Sequence, residues 1–224
     1  MPKNRFCKTF TPKTFNAPYQ GISLRGVALD RRLWKAFHTL TVTFLDDMPK
    51  SDRWEYITVI REWASHINLN IVFTSDPNAD IRIKTEASLN SSAIGTDALL
   101  VDPADPTMYI ADKPNTEFFR SAVLHEFGHA LGFQHEHLHP DINIPWNKPK
   151  VYEYYMEEEG WSRESVDQNI FNQINEPMTV TAYDSKSIMH YPIDKDLTDG
   201  VFEVGENLEL SEKDKHLARS VYPR

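Results

Sequence analysis

Residues 125–136 read His-Glu-Phe-Gly-His-Ala-Leu-Gly-Phe-Gln-His-Glu, and this stretch restricts the fold more than any other part of the chain. His125 and His129 are four apart, so on a helix both imidazoles leave the same face one turn from each other. That separation suits two corners of a zinc tetrahedron. On a continued helix, His135 would lie roughly 15 Å beyond His125 along the axis and about 80° round it, out of reach of the same ion. The chain must therefore turn between Leu131 and His135, and Gly132 is the residue type that takes positive φ there without a Cβ clash. Glu126 is not needed as a ligand and stands where it can hold and deprotonate a water on the same metal. A chance H-E-x-x-H would not also supply the glycine and the third histidine. The segment predicts one catalytic zinc ion (Zn2+) held by His125, His129 and His135.

The flanking pattern supplies a scaffold. Thr41–Leu45 alternates like a half-buried strand, and Asp52 to Asn68 carries Tyr56, Ile57, Ile60, Trp63, Ala64 and Ile67 at helical spacing. Asn70–Phe73, Ile81–Lys84 and Thr107–Ile110 are further short strands separated by turn residues. Glu117 to Leu131 is helical and stops at Gly132. Val151–Glu159, ended by Gly160, and Arg163–Ile170, capped by Ser162, are short helices, and Ser211 caps a last helix over Glu212–Val221. Strands and a helix come first, then helices and loops, which predicts an α+β chain with a mixed sheet in its N-terminal half.

A chain of 224 residues with 40% hydrophobic residues can bury one core and needs no second domain. Its net charge of −9 excludes nucleic acid and anionic membrane as natural partners, both of which require a basic surface. Basic residues do gather in the first 35 positions, including Lys3, Arg5, Lys8 and Lys13, in a Lys-, Thr- and Pro-rich arm over residues 1–25. One cysteine, Cys7, rules out an intramolecular disulfide. No signal-peptide-like or membrane-spanning apolar run occurs in the chain as given, which fits a cytoplasmic protein or one exported without a leader.

H-E-x-x-H-x-x-G-x-x-H is the metzincin signature, and Phe133 and Glu136 give it the astacin form. Ser187-Ile188-Met189-His190-Tyr191 matches a second family element, the Met-turn S-x-M-H-Y. Leu33-Trp34, Ala79–Ile83, Ile94-Gly95-Thr96 and Leu210–Asp214 also read like the same fold. The chain thus resembles the astacin-like metzincin zinc metalloproteases over roughly residues 33–222. The resemblance implies a metzincin-type α+β fold. An N-terminal lobe with a twisted mixed sheet and two long helices would face a C-terminal lobe of helices and loops across a zinc cleft. It also implies a catalytic domain over 26–224 after the 1–25 arm, and a monomeric endopeptidase acting on protein or peptide substrates.

Within that family pattern, Met189 is an apolar floor beneath the metal, and Tyr191 a displaceable fifth ligand whose phenol swings to hydrogen-bond the oxyanion. Glu136 engages the amino terminus freed by removal of a prosegment. Two readings of Cys7 stand side by side: a thiolate that caps the zinc from a latency arm, or a small apolar residue. The family's aspartate-based latency motif and paired disulfides are absent from the sequence. A peptide is expected to add as a strand along the sheet edge, for which Thr107–Ile110 is the candidate. Pro192–Gly200 should wall the pocket for the side chain after the cut. Lys195 there hints at an acidic preference, which Asp194 and Asp196 beside it could neutralise.

The remaining histidines, among them His137, His139 and His190, are expected behind the ligands or on the surface. Asp46-Asp47 and Glu157–Glu159 are expected as solvated faces. Activity should fall at acid pH, where the histidines leave zinc and Glu126 is protonated. An inactive binding module of this type would lack the base, and Glu126 is present.

Overall fold

The computed structural model describes Cys7, residues 27–172 and residues 178–224. Apart from Cys7, the arm at 1–25 lies outside the described residues. The main sheet contains β2 (Thr39–Phe44), β3 (Asn70–Phe73), β4 (Ile81–Lys84), β5 (Ser91–Ser92) and β6 (Met108–Tyr109), in the spatial order β3-β2-β4-β6-β5. The first four in that order are parallel and β5 runs antiparallel to β6. A short pair, β1 (Ala28–Leu29) with β7 (Met178–Thr179), lies apart from it.

Leu40, Val42 and Phe44 of β2 and Ile81 and Ile83 of β4 are buried in one core, as period-two alternation demands. Helices α1 (Lys50–Ala64) and α2 (Phe119–Ala130) join that core. α1 contributes Tyr56, Val59, Ile60 and Trp63, at i, i+3, i+4 and i+7. Trp63 is fully buried, and its indole N–H donates to the Leu124 carbonyl of α2 at 3.0 Å. Truncating it to Ala would cost about 3–5 kcal/mol. The last helix, α5 (Glu212–Val221), returns to the same core through Leu217 and Ala218. Its cap residue Tyr222 donates to Leu131 O at 2.6 Å, just past the end of α2.

A second core gathers Val151 and Tyr155 of α3 (Lys148–Glu157), Val166 of α4 (Arg163–Val166), Trp161, Ile170, Leu197, Tyr191 and Cys7. The mixed sheet with two long helices, followed by helices and loops, is the α+β metzincin-type arrangement expected. Among the described residues no helix is long and apolar enough to cross a membrane.

Four local expectations need correction. Thr107–Ile110 is not a sheet edge: β6 pairs with β4 on one side and β5 on the other, so the edge on that side is β5. α1 starts at Lys50 and ends at Ala64, because Asn68 already donates to Tyr222 O and leads into β3. The helix at 163 narrows to four residues and continues as a π-helical turn over Asp167–Phe171. Asp46 is not a solvated charge: its carboxylate accepts from Thr85 N, Glu86 N and Lys84 Nζ and pins the end of β4.

Candidate metal centre

α2 stops in a Schellman turn. Gly132 has φ +98, its N–H donates to His129 O at 2.8 Å, and Phe133 N donates to Gly128 O at 3.0 Å. The released segment is then stitched in place. Leu29 N donates to Gly132 O, Gln134 N to Val27 O, and Glu136 N to Met189 O. The reversal that the sequence required thereby carries His135 back over α2.

The three imidazoles converge. His129 Nε2 lies 3.1 Å from His125 Nε2 and 3.0 Å from His135 Nε2. Ligand nitrogens of a tetrahedral zinc, each about 2.0–2.1 Å from the ion, stand about 3.3 Å apart, so one ion fits this triangle. Tautomers follow from the partners: His125 Nδ1–H donates to Ile188 O and His129 Nδ1–H to Phe133 O, both at 2.7 Å. A carbonyl only accepts, so the Nε2 lone pairs of both rings face inward. Burial lowers the His125 pKa to about 4 and holds His129 and His135 well below the ordinary imidazole range, leaving all three neutral near pH 7.

Cys7 completes the group: its Sγ and the three histidine nitrogens all lie within 4.8 Å of one another. The thiol donates to Glu126 Oε2 at 3.2 Å. Burial, then the Glu126 charge, push the Cys7 pKa well up. A dication at the focus of these atoms reverses that preference, because a coordinating thiol is deprotonated outright. Glu126 is itself buried. Its Oε1 has no hydrogen-bond partner among the described residues, and burial raises its pKa to about 8, with Asp112 adding to the rise.

Tyr191 stacks on His137 at 4.5 Å between centroids and lies 4.3 Å from the His135 ring. Its phenol donates to the Cys7 backbone carbonyl. Burial holds its pKa well above the ordinary phenol range, so the group stays a donor. Met189 lies beneath α2, where Gly128 admits it: a Cβ on Gly128 would stand 2.4 Å from Met189 Sδ. Gly128 was missed in the sequence because a glycine inside a helical pattern has no distinctive spacing.

Two further groups were legible only in three dimensions. Asp214 accepts from Ser187 Oγ at 2.6 Å, Ile188 N at 2.8 Å and Ser211 N at 2.9 Å, and so ties α5 to the loop that carries Met189. Asn207 Nδ2 donates to the carbonyls of Ser185 and Ser187 on the same loop. Glu136 Oε1 accepts from Asp184 N at 2.8 Å, and burial raises its pKa to about 8. His137, His139 and His190 are all buried. His137 Nε2–H donates to Asn169 O, His139 Nε2–H to Thr181 O, and Tyr183 OH donates to His190 Nε2. Lys195 pairs at 3.1 Å with Glu203 across its loop and not with either neighbouring aspartate.

The family model for astacin, a family of peptidases, matches residues 27–222. The chain belongs to the astacin family. This astacin-family chain is a zinc metalloendopeptidase, as membership of that peptidase family entails. Among solved structures, "Structure of myroilysin" is 36% identical with a TM-score of 0.83, covering 89% of this chain and 99% of that one. "Crystal structure of myroilysin" is 34% identical with a TM-score of 0.70, covering 99% and 92%. High choriolytic enzyme 1, described as a hatching enzyme zinc-protease from Oryzias latipes, is 16% identical with a TM-score of 0.56, covering 86% and 95%, and shares the fold. Among curated proteins none matches the astacin-family chain significantly.

Proposed function

We propose that His125, His129 and His135 hold the single catalytic zinc of this endopeptidase, with Glu126 as general base and acid and Tyr191 as oxyanion donor. The observation that carries the reading is the convergence of three imidazole nitrogens beside buried Glu126, whose Oε1 has no hydrogen-bond partner among the described residues. Zinc, when bound, lowers the pKa of water and polarises a carbonyl oxygen. Glu126 takes the proton of the attacking water and returns it to the leaving amine. Tyr191 leaves the Cys7 carbonyl and donates to the oxygen that gains charge. A substrate backbone extends the sheet at its true edge, β5, by main-chain pairing. Met189 and Gly132 shape the floor and the turn.

Cys7 belongs to the same proposal as a latency ligand. It fills the fourth corner of the donor set, holds Glu126 Oε2 through its thiol and occupies Tyr191 through its carbonyl, so one residue engages ligands, base and oxyanion donor together. Residues 1–25 then act as an arm whose withdrawal opens the catalytic unit at 26–224. Glu136, beside a small cavity lined by Val27 and Lys213, is the group that would receive an amino terminus freed near that boundary.

Cleavage mapping on an unbiased peptide library tests this, comparing the full chain with Cys7→Ala, Glu126→Gln and a zinc-chelated sample. Cys7→Ala should cut faster than the parent, and Glu126→Gln should lose at least about 100-fold. Cuts that persist at full rate in Glu126→Gln would exclude the assignment of the base.

A further inference from the structure

The backbone of Tyr191 is fixed independently of its ring. His190 Nδ1–H donates to Tyr191 O at 2.7 Å, and Tyr183 OH holds the other nitrogen of that imidazole at 2.9 Å. The ring itself lies against His135, 4.3 Å between centroids with the planes at 55°, and against His137, 4.5 Å with the planes at 26°. The His125 ring is farther off, at 6.2 Å. His125 and His135 belong to the triangle of nitrogens, so among the described residues His137 is the close, nearly parallel imidazole that lies outside the donor set. His137 is buried and is placed by an uncommon piece of backbone: its Nε2–H donates at 2.8 Å to Asn169 O. Asn169 sits in the π-helical turn, where Asn172 N reaches back five residues to Asp167 O, and its own side chain is tied to Ser165 O. Such turns are rare and frequent at functional sites. Because the carbonyl fixes the tautomer, His137 Nδ1 carries a lone pair, and it has no hydrogen-bond partner among the described residues. A side chain that only filled this space would be better apolar, since a buried acceptor without a donor is costly.

We infer that His137 is a positioning residue for the reaction, its imidazole being the face along which the Tyr191 phenol moves from the Cys7 carbonyl to the oxygen that gains charge. The inference rests on the reading of Tyr191 as oxyanion donor. With the backbone held by His190 and one face of the ring covered by His137, the phenol can travel in the plane of its ring and is hindered from tipping out of it. A donor aimed in advance needs no reorganisation as the charge develops. The π-helical turn keeps the face itself still, through the bond from His137 to Asn169 O. His137 thus acts on the reaction through Tyr191 alone, and an aromatic pair of this kind is worth up to about tenfold in an equilibrium.

Two substitutions in the full-length chain carrying Cys7→Ala separate the ring face from its tether. His137→Phe keeps the face and loses the N–H, whereas His137→Gln keeps a donor for Asn169 O and loses the face. On a quenched peptide His137→Phe should hold kcat within about threefold of the parent. His137→Gln should lower kcat about tenfold and leave KM unchanged. Calorimetry should show a phosphinic peptide, whose tetrahedral oxyanion resembles the transition state, weakened by the same factor in His137→Gln. Combined with Tyr191→Phe, His137→Gln should cost nothing further, whereas a merely structural role would add its loss to that of Tyr191→Phe. Parental kcat in His137→Gln, an equal loss in His137→Phe, a loss carried by KM, or additive losses would overturn the inference. Should one variant fail to fold, the other decides by the same criteria. Tyr191→Phe at full rate removes the oxyanion reading and this inference with it, while additive losses beside an impaired Tyr191→Phe remove this inference alone. If the Cys7→Ala chain cuts nothing, the phosphinic-peptide affinities of the same variants decide by the same pattern.

Discussion

Asp214 stands far from the histidines in sequence, yet it sets the position of one of them. Its carboxylate holds Ile188 N, and the carbonyl of that same residue holds His125 Nδ1–H. Replacing Asp214 by Ala strands Ser187 Oγ–H and Ile188 N–H, both buried, and Ser211 N–H, which is partly so. A buried donor left without an acceptor costs about 1–3 kcal/mol. Two such donors plus a half-exposed third give a loss of about 3–5 kcal/mol, a large share of the stability of a domain this size. Asp214→Asn keeps one acceptor oxygen and should lose roughly half as much. Because the strain passes through Ile188 to a ligand, zinc affinity should also drop about 10- to 100-fold. Urea melts give the first quantity and competition with a chromophoric chelator gives the second. A loss below about 1 kcal/mol, or a destabilised protein with parental zinc affinity, would refute the relay.

Gly128→Ala gains about 1 kcal/mol of helix propensity but drives a methyl to 2.4 Å from Met189 Sδ, at an overpacking cost of about 1–3 kcal/mol. The denaturation midpoint should fall, and a rise would show that the contact is slack. Partial burial opposes the charge of Asp46, but Thr85 N, Glu86 N and Lys84 more than offset it, so its pKa lies below the ordinary 3.8. A depressed carboxyl stabilises the fold above its unfolded pKa and loses that contribution as pH falls through its folded value. Asp46→Asn should therefore cost about 1–3 kcal/mol at pH 7 and almost nothing near pH 2, and a pH-independent difference in urea midpoints would contradict this. Free zinc at 1,000 times its dissociation constant should add about 4 kcal/mol, or roughly 8–16 °C in melting temperature over the chelated protein. Scanning calorimetry with and without chelator measures the shift, and an unmoved midpoint would mean that the triangle of nitrogens binds no ion.

β3 and β4 were legible at their observed limits because short β-branched runs between turn residues carry their own signal. α2 and its stop were legible because ligand spacing and a left-handed glycine leave one geometry. β5 was not, since Ser91-Ser92 has neither apolar period nor β-branching and is a strand only because β6 lies beside it. With β5 unseen, β6 was mistaken for the edge. Asp214 lies in the first turn of α5 and closes its capping box. Its second task, bonding Ser187 and Ile188, depends on a contact that local pattern does not encode. Lys195 misled for the same reason: adjacent residues suggested its partners, and the fold supplied Glu203 instead.

The wall after the Met-turn leaves and re-enters the body at one place. Ile193 and Val204 exchange both backbone hydrogen bonds, at 2.8 and 3.0 Å, and Asn207 fastens the returning strand to Ser185 and Ser187. Residues 194–203 are thus an excursion from a closed stem. Changes of length or charge within it leave the three histidines, their carbonyl anchors and the Schellman turn untouched. In contrast, one residue inserted between His129 and His135 would misplace a ligand and release the carbonyl that orients another. A graft between Ile193 and Val204 that keeps Leu197, which packs with Tyr191 in the second core, would therefore change the surface beside the metal centre without moving the three histidines.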